Sequence, residues 1–69
     1  MASFCVRVIN REGLLGQHSF TEFDVASLYL AVEKTSLDAT LIEMWDEHDN
    51  VLIERWQLDD DTDWVLIHF

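Results

Sequence analysis

Asp59, Asp61 and Asp63 alternate along the stretch WQLDDDTDW, residues 56–64, which holds four aspartates between two tryptophans. Their one-three-five spacing is that of the first ligands of an EF-type calcium loop. The rest of that loop is missing: Trp64 stands where the sharp-turn glycine belongs, and no closing glutamate follows. His18, His48 and His68 are scattered, with no local ligand spacing. Cys5 is the only cysteine, so neither an intrachain disulfide nor a cysteine-based metal framework is expected. With only Arg7 as a basic neighbour, Cys5 reads as inert packing in a reducing, cytoplasmic setting. No glycine-rich phosphate loop or nucleophile elbow occurs. Carboxylates are abundant, but so small a globule offers little depth in which to raise one carboxyl pKa selectively. The expectation is a non-enzymatic protein with no metal and no cofactor.

What remains is electrostatic. Residues 1–37 carry a net charge of −1 and residues 38–69 a net of −9, with Arg55 the only cation in the second half. Repulsion disfavours direct binding to nucleic acid or to an anionic membrane. A basic protein surface is the favoured partner. The candidate contact residues are Asp46, Glu47 and Asp49, the quartet Asp59, Asp60, Asp61 and Asp63, and the strand residues Glu43 and Glu54. Carboxylates two apart on a strand are roughly 6.6 Å apart, near the spacing of phosphates along one nucleic-acid strand. A phosphate-like array is therefore expected. Trp45, Trp56 or Trp64 would add an apolar anchor, since charge steers encounter while buried aromatics hold a complex.

The elements that must position these groups follow from periodicity and turn chemistry. With 49% hydrophobic residues, the 69-residue chain is too apolar for a disordered acidic tail and reads as a single compact domain, 1–69. Its apolar runs of four or five residues are too short for a signal peptide or a transmembrane helix. Residues 3–10 alternate as a strand, Asn10-Arg11-Glu12-Gly13 makes a turn with Gly13 left-handed, and residues 14–20 return. Gly16 marks a bulge or a close backbone approach. A helix starts at Thr21, with Thr21 and Asp24 as a capping-box pair, or two residues earlier with Ser19 and Glu22; Lys34 complements its far end. Phe23, Tyr29 and Leu30 pack its core side. Residues 39–46 and 51–58 form a second hairpin about the turn 47–50, and residues 64–69 form a last strand after the turn 59–63. The fold expected is α+β: a mostly antiparallel sheet of four to five strands, with one helix packed on one face, in the order β-β-α-β-β-β.

One helix cannot cover both sides of such a sheet. Leu52, Glu54, Trp56 and Leu58 are expected on one side of their strand. Either Trp45 or Trp56 should then lie on an exposed patch suited to a partner or a homodimer.

The short acidic chain, the hairpins NREG and WDEHDNVLIERW and the helix FTEFDVASLYLAVEK resemble, in size and layout, the small inhibitor proteins of bacteriophages and prophages, anti-CRISPR proteins among them. The resemblance implies an inhibitor in the bacterial host cytoplasm. It would bind a basic nucleic-acid-binding protein or complex, such as a CRISPR effector, and block its DNA or RNA site. The alternative is a homodimeric scaffold or accessory interaction module that uses the exposed sheet face.

Overall fold

A computed structural model describes residues 3–13, 15–36 and 38–67. The elements are β1 (Phe4–Asn10), β2 (Leu15–Phe20), α1 (Phe23–Glu33), β3 (Ala39–Asp46), β4 (Val51–Leu58) and β5 (Trp64–Ile67). The expected α+β fold and element order are found. The five strands form one antiparallel sheet in the order β2-β1-β3-β4-β5. The expected strand residues Leu14, His68 and Phe69 lie outside the described residues.

The topology follows from strand direction. β2 and β3 both run antiparallel to β1, so they run parallel to each other. A parallel return needs a crossover, and α1 supplies it, packing on β1, β2 and β3. Val6, Ala26, Leu30, Ile42 and Met44 are buried between helix and sheet, bordered by Phe4, Val8, Phe20, Tyr29, Trp56 and Trp64. Each large aliphatic side chain buried here stabilises the fold by about 2 kcal/mol.

Three local expectations are corrected. The helix begins at Phe23, and its N-cap is Glu22, extended at φ −121°, with no side-chain cap from Thr21 or Ser19. Gly16 pairs regularly with Val8, and a Cβ there would meet its nearest neighbour, Val8 O, only at 4.0 Å, so no close approach requires glycine. The β3–β4 register shifts: Met44 faces Glu54, but Trp45 faces Leu52. The extra residue of this bulge moves Leu52 to the side opposite Glu54 and Trp56, against simple alternation. Gly13 does adopt the expected left-handed conformation, at φ 82°, and its N–H donates to Asn10 O at 3.0 Å.

The sheet has two ends. At one lie the β1–β2 turn, the start of β3 and the β4–β5 turn, with Arg11 N donating to Asp38 O at 2.9 Å. At the other lie the start of β1, the helix start and the β3–β4 turn, with Glu47 N donating to Ser3 O at 2.8 Å.

Candidate protein-interaction surface

Both acidic turns are fixed by one aspartate each. Asp59 Oδ1 accepts the N–H groups of Asp61 at 2.9 Å and Asp63 at 2.8 Å. Asp46 Oδ1 accepts those of His48 at 3.0 Å and Asp49 at 3.3 Å. Asn50 and Thr62 take positive φ, 55° and 64°, to close the two loops. Asp49, Asp60, Asp61 and Asp63 are thereby held as exposed carboxylates on an ordered backbone. Glu47, also exposed, accepts from Ser3 Oγ at 2.8 Å. Hydrogen bonds from Ser3 and Ser19 hold its carboxyl below the usual glutamate range.

These groups do not form one array. The two turns stand at opposite ends of β4, about 23 Å apart over seven strand steps. Glu43 and Glu54 lie on opposite faces of the β3–β4 hairpin, because Glu54 pairs with Met44 on the helix side while Glu43 pairs with Arg55 on the other. Glu43 is 6% exposed. It accepts Trp45 Nε1–H on Oε1 at 3.2 Å and Arg55 Nε–H on Oε2 at 2.7 Å. Across β1, the Arg7 guanidinium lies over the Trp45 ring, 5.1 Å from its centroid. On the sheet face without a helix these long side chains cover the middle, above a fully buried Cys5, while Val65, paired with Gln57, stays exposed.

The three indoles are tied inward. Trp45 Nε1 donates to Glu43 and Trp56 Nε1 to Glu54, each to the carboxylate two positions earlier at 3.2 Å. Trp64 Nε1 donates to Lys34 O at 2.9 Å, which fastens the helix end to β5. Of the two expected patch candidates, Trp45 lies half-buried on the helix-free face, while Trp56 packs against the core. The Lys34 ammonium sits over the Trp56 ring, 3.1 Å from its centroid. Burial pushes the Lys34 pKa down, while Glu54 pulls it up.

Sequence reasoning places neither Arg7 nor Lys34 beside the tryptophans. The signal was there: residues two apart on a strand share a face, so Glu43-x-Trp45 and Glu54-x-Trp56 each place a carboxylate beside an indole. The pairing of each with a cation depends on register and was not legible.

Among the described residues, no group of three or more His, Cys, Asp or Glu side chains is arranged to hold a metal ion. A cleft of about 410 Å³ opens between β1, β2 and the end of α1, beside Tyr29, Glu33 and Asp38. The Tyr29 phenol is raised by burial and by its hydrogen bond to Glu33. No described helix is long and apolar enough to cross a membrane.

No protein-family model, curated protein or solved structure matches this chain.

Proposed function

We propose that this protein is a non-enzymatic inhibitor that binds a basic nucleic-acid-binding protein or complex and blocks its DNA or RNA site. Charge orientation carries the reading. Arg55 is bonded to Glu43, Arg7 covers Trp45 and Lys34 covers Trp56, which leaves Arg11 as the exposed lysine or arginine among the described residues. The carboxylates of the two turns point outward on backbones that need no further ordering, so little conformational entropy is lost when a basic groove closes on them. Phage anti-CRISPR inhibitors, which this chain resembles in size and layout, supply the class of target: a CRISPR effector or a similar complex in a bacterial cytoplasm.

Arg7, Trp45, Glu43 and Arg55 cover the middle of the helix-free face, which gives less support to a homodimer built through it. The test is affinity capture from an extract of the source cells, with washes at rising salt and bound proteins identified by mass. The expected result is a basic nucleic-acid-binding protein that salt releases and its own DNA or RNA displaces. Recovery of this chain alone would overturn the proposal in favour of a self-associating module.

A further inference from the structure

The helix is apolar on both sides. Ala26 and Leu30 face the core, yet Leu28 is 67% exposed, Val32 57% and Val25 45%. At about 100° per residue, these three fall on one stripe of about 60° along the outer side of α1. Spacing of i, i+3 and i+7 is that of the anchors a helix presents to a partner's groove. Carboxylates frame the stripe. Asp24 lies on one side of it and Glu22 and Glu33 on the other. The helix runs from the end of the sheet that carries Asp46, Glu47 and Asp49 to the end that carries Asp60, Asp61 and Asp63. The nearest cation, Lys34, is folded onto Trp56 on the inner side.

We infer that Val25, Leu28 and Val32 are the apolar anchor of the interaction surface, and that they dock into an apolar groove rimmed by lysine and arginine on the partner protein. The role expected of the tryptophans passes to this stripe, because all three indole N–H groups already have acceptors within the fold. A second copy of this chain is a poor occupant. It would bring another net charge of −10 and the same acidic frame against this one. A basic-rimmed groove meets the apolar line and its anionic frame together.

This inference rests on the binding reading above, and the test separates the two. Photo-reactive benzoylphenylalanine is placed singly at Leu28, at Asp60 and, as a control on the β2 edge, at Gln17, after circular dichroism shows each variant folded. Each is irradiated in an extract of the source cells, and the crosslinked peptides are sequenced. The expected result is one basic protein captured from both Leu28 and Asp60, with yield at Leu28 well above that at Gln17 and the Leu28 crosslink in an apolar groove flanked by lysine or arginine. Capture from Asp60 with none from Leu28 would overturn the anchor and leave the acidic-surface reading standing. A Leu28 crosslink to a second copy of this chain would overturn the groove partner. Capture from neither position would overturn both.

Discussion

Arg55 Nε donates to Glu43 Oε2 over 2.7 Å, and this pair covers the middle of the sheet face on which no helix packs. Glu43 is the buried member, and it also accepts the Trp45 indole. Removing it takes away the carboxylate that both the Arg55 guanidinium and the Trp45 indole N–H bond to in a half-buried layer. Glu43→Ala should cost about 2–3 kcal/mol, read as a lower urea midpoint at unchanged m-value. A double-mutant cycle with Arg55→Met should give a coupling of about 1 kcal/mol or more. Additive effects would mean that the pair is only decorative.

Thr62 is a β-branched residue at φ 64° in the acidic turn. A side chain in the left-handed region costs about 1–2 kcal/mol, and glycine avoids that cost. Thr62→Gly should therefore leave stability unchanged or raise it by about 1 kcal/mol, measured by thermal unfolding. A clear loss would assign Thr62 a stabilising role beyond its hydroxyl bond to Asp61 O.

Strand limits were largely legible because alternation and turn residues agree along 39–46 and 51–58, and β3 and β4 occupy those spans. The helix start was not, because Thr21 looks like a cap while Glu22 takes that place without a side-chain bond. Leu52 was misplaced for a different reason. A bulge is a property of the paired strands, and one extra residue reverses every face beyond it. The acidic turns were legible, but not their separation, which requires knowing that β4 runs between them.

Asp60 and Asp61 are exposed, so reversing them should change stability by no more than about 0.5 kcal/mol. The double change Asp60→Lys with Asp61→Lys should instead slow association with a basic partner by about tenfold and flatten its salt dependence. Stopped-flow binding at two ionic strengths checks this. An unchanged rate would remove that turn from the encounter surface.

The depressed Glu47 carboxyl gives a pH signature. Its folded pKa lies below the ordinary 4.5, chiefly through the Ser3 hydrogen bond. Its contribution is therefore fully present above that ordinary value and is lost as pH falls through the folded pKa. The net charge of −10 acts oppositely, since acid relieves repulsion, so the informative quantity is a difference between variants. Ser3→Ala should raise the Glu47 titration midpoint, followed by NMR at its side-chain carbonyl, and should lessen the wild-type protein's advantage over Glu47→Gln. A midpoint unmoved by Ser3→Ala would assign the depression to another group.

The most direct test is displacement. A basic partner obtained by capture is loaded with labelled DNA or RNA and titrated with this protein while probe anisotropy is followed. The expected result is stoichiometric release of the probe at low salt, with the lysine-reversed turn variant requiring far more protein. A probe that stays bound while this protein binds alongside would contradict blockade of the nucleic-acid site.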